Sequence, residues 1–188
     1  MTKRMIRPSL PHRAIRTIVL TVSLATIGPV PLRAQEAVPS CESDPAFAWL
    51  DFWLGNWDVL VRGEPVGKNR IQKILEGCAI QEEWADALGR RGHSLFYFQP
   101  ATHTWKQVWV TDRARARGGV KEKELIGRYA DGGVRFQGEI PLEDGGSYLD
   151  RTTLTPVTRD EVRQIIEISM DGGGSWQITF DGLYVRRR

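Results

Sequence analysis

The sequence predicts an all-β fold, a closed antiparallel up-and-down β-barrel of about ten strands with a short N-terminal helix at one mouth. Short runs of alternating apolar and polar residues follow Trp57, and turn signals separate them. No segment after Gly55 keeps a helical period over three turns, which excludes β-α-β units. An antiparallel meander removes its exposed edges most completely by closing on itself, and an open sandwich is the alternative.

The first 34 residues have the three-part pattern of a secretory signal peptide. Basic residues without acidic ones precede an apolar run at 18–32, and Ala34 is a small residue suited to a cleavage point. We expect cleavage near Ala34, a short linker at 35–43, a single domain at 44–188, and a secreted or periplasmic location. An uncleaved N-terminal anchor is the alternative. After cleavage, no stable membrane span is expected.

Removal of this leader reverses the net charge of the chain. The whole sequence has 26 Lys and Arg against 23 Asp and Glu, and six of the basic residues but none of the acidic ones lie in 1–34. The mature chain therefore carries a net charge of −3, and no concentrated basic face is left for nucleic acid. A nucleic-acid partner is not expected.

Two cysteines, Cys41 and Cys78, remain in the mature part. In an exported chain, a single pair of cysteines predicts one disulfide, which would tie the segment before the helix to the second hairpin. Two free buried thiols are the alternative.

The stretch 47–59 predicts a helix that leads into the first strand. Phe47, Leu50 and Leu54 recur at helical spacing, after an Asp44-Pro45 pair suited to a helix N-terminus. Gly55 ends this pattern and Trp57 opens an alternating run. Because so short a helix is not stable alone, we expect it to pack on the barrel mouth.

Nine turn signals divide the rest of the chain into ten strands. Asp and Gly supply the positive φ angles of tight hairpin turns. Alternation is clear at Val134 and Phe136 with Ile140, and again at Trp176, Ile178 and Phe180. The turn signals lie at 63–68, 77, 88–92, 99–103, 112–119, 131–133, 142–146, 156–160 and 171–174.

An ordered set of short motifs resembles the calycin superfamily of lipocalins, fatty-acid-binding proteins and nitrobindins, and most closely a family of small exported bacterial lipocalin-like proteins of unknown function. The motifs lie at 52–57, 77–78 with Trp84, 92–94, 105–109 and 169–176. The resemblance implies a barrel in which Trp57, of the Gly55-x-Trp57 element, packs against a late basic residue, for which Arg186 is the candidate. Nitrobindins bind haem through a late histidine, and this chain has none after His103. This departure weighs against a haem site, for which His93 or His103 is the alternative ligand, and no cofactor is expected.

Residues 169–176 also match a Ser-x-Asp-x-Gly-x-Ser-Trp box, a hairpin turn repeated in sialidase propellers. One copy cannot build a propeller, which needs several blades. We interpret it as a stable turn in which Asp171 accepts backbone N–H groups near Gly173 and Trp176 packs beneath.

Catalytic and metal sites are not predicted. The Gly92-His93-Ser94 segment lacks the second glycine of a nucleophile elbow, and His93 and His103 lie at opposite ends of one strand. Glu82 and Glu83 are adjacent, so on a strand only one of them can point inward. The alternating 121–124 run (Lys-Glu-Lys-Glu) is typical of a solvated strand.

Polar and aromatic side chains on faces that otherwise look inward predict a ligand pocket. A small, partly apolar ligand is the expected partner, with an anionic or polar head oriented by Arg151 and Gln107. The alternatives are a satisfied structural network, an interaction module without a ligand, and a calycin-type enzyme that uses interior Arg and Glu. The candidate ligand-binding residues are Arg70, Tyr97, Trp105, Gln107, Trp109, Arg151 and Gln164.

Overall fold

A computed structural model describes residues 39–188 as a barrel of ten antiparallel strands. Each strand pairs with the next one in the chain, and β1 pairs with β10 to close the sheet. The predicted fold class and strand number are confirmed. The predicted signal peptide and most of the linker lie outside the described residues. The strands are β1 Gly55–Val61, β2 Glu64–Ile74, β3 Ala79–Asp86, β4 Arg91–Gln99, β5 Thr104–Thr111, β6 Val120–Arg128, β7 Val134–Pro141, β8 Ser147–Thr158, β9 Glu161–Ser169 and β10 Gln177–Arg186.

The connections divide between two ends of the barrel. The end with the N-terminal segment, which we call the closed end, also has the turns at 75–78, 100–103, 129–133 and 159–160. The other end, the open end, has those at 62–63, 87–90, 112–119, 142–146 and 170–176. Each of the nine predicted turn signals overlaps or adjoins one of these turns. Turn residues such as Gly, Asp and Pro were therefore sufficient to predict the order of hairpins.

Three short 3₁₀ turns form the predicted N-terminal helical segment, at Cys41–Ser43, Pro45–Ala48 and Asp51–Trp53. The Asp44 carboxylate accepts a 2.8 Å hydrogen bond from the Ala46 amide, as expected of a cap. Leu50 has φ −107° and ψ 7°, outside the helical region, so the second and third turns do not join into one helix.

Aromatic side chains fill the closed half of the barrel. Leu50 and Trp53 from the N-terminal segment are fully buried, and the Trp53 ring packs edge-on against Phe96 with centroids 5.4 Å apart. Trp105 donates its indole N–H to the Ala46 carbonyl over 2.8 Å. The segment therefore acts as a plug. The predicted disulfide between Cys41 and Cys78 is confirmed, and it ties the plug to the barrel.

Gly55 and Trp57 depend on a residue at the far end of the sequence. The Arg186 guanidinium lies 4.3 Å from the Trp57 ring centroid and donates a 2.8 Å hydrogen bond to the Leu54 carbonyl. Gly55 has φ +141°, and a Cβ there would overlap the Arg186 side chain. The predicted contact between Arg186 and Trp57 is thus present, and it explains the glycine two residues earlier.

A bulge in β10 breaks the predicted alternation of Trp176, Ile178 and Phe180. Thr179 is the extra residue, since Ile178 pairs with Glu167 and Phe180 with Ile166. Ile178 therefore points outward and is 56% exposed, while Phe180 points into the barrel.

The 169–176 box forms the turn before β10. The Asp171 carboxylate accepts hydrogen bonds from the Ser175 amide at 2.9 Å and from the Ser169 hydroxyl at 2.7 Å. These bonds hold the pKa of Asp171 well below its usual range. The Trp176 indole donates to the Gly173 carbonyl over 3.2 Å. The box therefore stabilises a turn, as interpreted from sequence.

Within residues 39–188, no helix is both long enough and apolar enough to cross a bilayer.

Candidate functional site

The open half of the barrel interior contains a cavity of about 190 Å³. Its walls near the open end are apolar, because Trp84 and Trp109 lie two residues before the ends of β3 and β5. Its floor, against the plugged half, is polar. The lining residues are Glu82, Trp84, Gln107, Trp109, Lys121, Lys123, Thr152, Gln164, Ile166, Phe180 and Tyr184.

Glycines on neighbouring strands leave room for the two wall tryptophans. A Cβ on Gly92 would overlap the Trp109 ring, and a Cβ on Gly67 would lie 2.6 Å from the Trp84 ring. Each indole thus lies in a groove that only glycine provides. The effect is to hold both rings back against the barrel wall, which leaves the cavity between them open.

A hydrogen-bond network on strands β2 to β5 forms one side of the floor. The Glu82 carboxylate accepts from the Asn69 amide at 2.7 Å and from the Ser94 hydroxyl at 2.5 Å. The Gln107 amide donates to the Ser94 oxygen at 3.0 Å. Burial raises the pKa of the Glu82 carboxyl, because removal from water disfavours the ionised form more than these bonds favour it.

A cluster of two lysines and one aspartate forms the opposite side. The Lys121 ammonium lies 2.6 Å from one oxygen of Asp150, and the Lys123 ammonium contacts the other. Lys123 also donates to the Thr152 hydroxyl at 2.6 Å. Asp150 is fully buried and Lys123 nearly so, whereas Lys121 remains 17% exposed.

The charged state of Lys123 reflects a competition between burial and its partner. Desolvation lowers the pKa of Lys123 to about 8, and the Asp150 carboxylate opposes that fall. Between these two sides of the floor, the buried Tyr184 hydroxyl donates to the Gln164 carbonyl oxygen at 2.5 Å. Burial raises the pKa of Tyr184 well above its usual value, so this phenol stays a neutral donor.

Three of the seven predicted ligand-binding residues line this cavity: Gln107, Trp109 and Gln164. Trp105 shares their inward face but lies in the plugged half, fully buried against the N-terminal segment. Its assignment as a ligand contact is corrected to a core residue. The sequence pattern predicted the inward face of Trp105 correctly, but not the depth to which the plug fills the barrel.

The remaining three candidates, Arg70, Tyr97 and Arg151, lie on the outer face of the barrel. Arg70 is 3.7 Å from the Glu83 carboxylate, and Arg151 forms a two-pronged pair with Glu167 at 2.7 and 2.9 Å. The two arginines bond outward-facing residues of the adjacent strands. Tyr97 alternates with the buried residues Phe96 and Phe98, so it too points outward.

Lys121, Lys123 and Asp150 are the main functional candidates that the sequence analysis missed. The 121–124 run was expected to be solvated, but only Glu122 and Glu124 point outward. A usable signal was the hairpin register, since Lys121 pairs with Trp109 and Lys123 with Gln107. Directly paired residues share a face of the sheet, so the two lysines point inward because their partners on β5 point inward.

Neither histidine of the described chain joins the cavity. His93 points outward from β4, and His103 packs at the closed end with its ring 5.9 Å from that of Trp49. Among residues 39–188, no three His, Cys, Asp or Glu side chains come together in a way that could hold a metal ion.

No family model matches this chain, and no curated protein matches it either. The resemblance to lipocalin-like proteins therefore stays a prediction, carried by the motifs in which it was found.

Proposed function

We propose that this protein is a non-catalytic binding protein that holds a small, partly apolar ligand in the open half of its barrel. The observation that carries the proposal is a cavity with aromatic walls and a polar floor. Ligand sites are typically apolar with a few placed polar groups. An exported protein of this kind would bind or carry a compound outside the cytoplasm, and the disulfide is compatible with such a location.

The size of the cavity limits the ligand to about one ring. Its volume of about 190 Å³ is below the range of about 300–1,000 Å³ typical of drug-sized ligands. A dry cavity of about 150 Å³ is known to accept benzene. A single aromatic ring with one polar substituent, or a short acyl chain, therefore fits the space between Trp84 and Trp109 better than a lipid or haem does.

The glycine beside the Trp109 ring supports a binding role, because it keeps the cavity open. If the barrel were only a scaffold, a larger residue at Gly92 would push the Trp109 ring inward and help to fill the interior, which favours stability. Glycine at position 92 does the opposite, since it lets the Trp109 ring lie back against the barrel wall and leaves the cavity open.

A single substitution tests the proposal. In Gly92→Ala, the new methyl group overlaps the Trp109 ring, so the ring must move toward the cavity. We expect this variant to lose most of its binding to single-ring compounds, measured by native mass spectrometry and calorimetry of the whole chain. Gly127→Ala on β6 is the matched control, because its Cβ would meet only ordinary contacts at 3.6 Å. If neither the parent protein nor the control binds any single-ring acid, alcohol or amine, the proposal is wrong.

An enzymatic role is the second candidate, since Glu82 is a carboxyl group with a raised pKa in a cavity, as catalytic acids often are. Both of its oxygens are already engaged by Asn69 and Ser94. A general acid or base must reach the substrate with a free position. The geometry therefore favours a structural role for Glu82 and a binding role for the cavity.

A further inference from the structure

The two lysines at the cavity floor have a single carboxylate between them, which favours an anionic ligand. Lys121 and Lys123 share one carboxylate, that of Asp150. The only other carboxyl group of the lining is Glu82, whose burial favours its neutral form.

Apart from Glu82, the buried polar groups that face this cluster from the neighbouring strands are uncharged. Asn69 on β2, Ser94 on β4, Gln107 on β5 and Gln164 on β9 are neutral, and Tyr184 on β10 is a neutral phenol. Because both ammoniums bond to the single carboxylate of Asp150, the cluster of Lys121, Lys123 and Asp150 has one excess positive charge. A buried charge without a partner is costly, so an anion that enters the cavity is stabilised there.

The excess charge is accessible at Lys121. Lys123 is sealed, with its side chain 3% exposed, and is engaged by Asp150 and Thr152. Lys121 is the second residue of β6, closer to the open end, and its side chain is 17% exposed. An ammonium has three donors, and the one hydrogen bond to Asp150 leaves Lys121 with donors for a ligand.

We propose that the ligand is a small carboxylate, whose head group binds the Lys121 ammonium and whose single ring or short chain lies between Trp84, Trp109 and Phe180. This inference rests on the proposed function and narrows it to an anionic ligand. Lys123 and Asp150 position Lys121 and do not themselves contact the head group.

Three ring compounds of nearly equal size separate the head-group chemistry from the fit of the ring. Benzoate, benzyl alcohol and benzylamine are titrated into the whole chain at pH 7 by calorimetry. A charge-assisted hydrogen bond in a desolvated site favours benzoate over benzyl alcohol by about ten- to a hundredfold. Benzylamine is expected to bind weakest, because its ammonium would face two lysines.

Variants on neighbouring strands then test the anchor. Lys121→Met keeps most of the apolar stem, leaves Lys123 and Asp150 as a balanced pair, and is expected to abolish the preference for benzoate while benzyl alcohol binds as before. Lys121→Arg is expected to keep the preference. Lys106→Met is the matched control, since Lys106 pairs with Glu124 on the outer face at 3.2 Å. Thermal melts establish that each variant is folded.

The possible outcomes have distinct meanings. If benzyl alcohol or benzylamine binds as tightly as benzoate, the anionic ligand is refuted and the cavity function stands. If benzoate is preferred and Lys121→Met binds it normally, Lys121 is not the anchor. If no compound binds, the proposed function fails, and this inference fails with it.

Discussion

Replacement of Asp150 by Asn removes the carboxylate that both cavity lysines share. Asp150 is fully buried and the Lys123 side chain is 3% exposed, so the variant leaves a buried ammonium with only an amide and the Thr152 hydroxyl as partners. Removal of one partner from a buried ion pair typically costs about 3–5 kcal/mol. For a domain of this size, that corresponds to a decrease in Tm of about 6–20 °C.

The loss should depend on pH in a defined direction. The pKa of Lys123 falls from 10.5 in the unfolded chain to about 8 in the folded protein, so the unfolded chain binds more protons between these values. The lysine's contribution to the free energy of unfolding therefore rises with pH across this window. Without Asp150, the pKa of Lys123 falls further and the rise begins at lower pH. The difference in stability between Asp150→Asn and the parent protein should thus shrink as the pH rises toward 8, the pKa of Lys123 in the parent protein, and stay reduced above that pH.

Urea unfolding at pH 7 and pH 9.5 measures both effects. Asp181→Asn is the control, because Asp181 pairs with Arg163 on the outer face at 2.7 Å and both side chains are about half exposed. Exposed pairs contribute about 0–1 kcal/mol, with little change between these pH values. The reasoning is refuted if the two variants lose the same stability at pH 7, or if the loss in Asp150→Asn does not shrink at pH 9.5.

Two further predictions concern the plug and the cavity floor. The Cys41→Ser, Cys78→Ser double variant opens a loop of 37 residues and should lose about 4 kcal/mol of unfolding free energy in urea, as should the reduced parent protein; equal stability with and without reductant would contradict this. Glu82→Gln should remove a pH dependence. The pKa of Glu82 is raised above 4.5 in the folded protein, so the unfolded chain ionises first and the parent protein loses stability as the pH rises above that value. If the free energy of unfolding of the variant falls as steeply with pH as that of the parent protein, Glu82 is not a buried, neutral group.

The sequence was sufficient for the fold because the relevant signals are local. Turn residues mark each hairpin within a few positions. The pairing of β1 with β10 then follows, because a meander of ten strands removes its two exposed edges by closing. The contact of Arg186 with Trp57 is long-range, and it was expected only from the resemblance. The position of the N-terminal plug was predicted, but its division into three 3₁₀ turns was not, because the backbone conformation that breaks the helix at Leu50 has no signal in the sequence.

The site was predictable only in part, because strands with mixed faces give no sign of which face is inside. In β8, alternation places Arg151 on one face with Leu149 and Thr153, but the buried face is that of Tyr148 and Asp150. The register decides this: Asp150 pairs with Gly138 and Tyr148 with Ile140, whose inward direction was recognised. Pairing across each hairpin carries information that alternation within one strand lacks.

The polar groups of the floor therefore divide into two kinds. Glu82, Asn69, Ser94 and Gln107 bond to one another across four strands, and such a network fixes strand pairing without any ligand. Lys121 differs, because it shares its carboxylate with a second lysine and lines the cavity with donors beyond its one bond to Asp150. A purely structural interior would balance that charge within the protein, and a binding site leaves the balance to its ligand. The excess charge at Lys121 is the feature that separates the two interpretations.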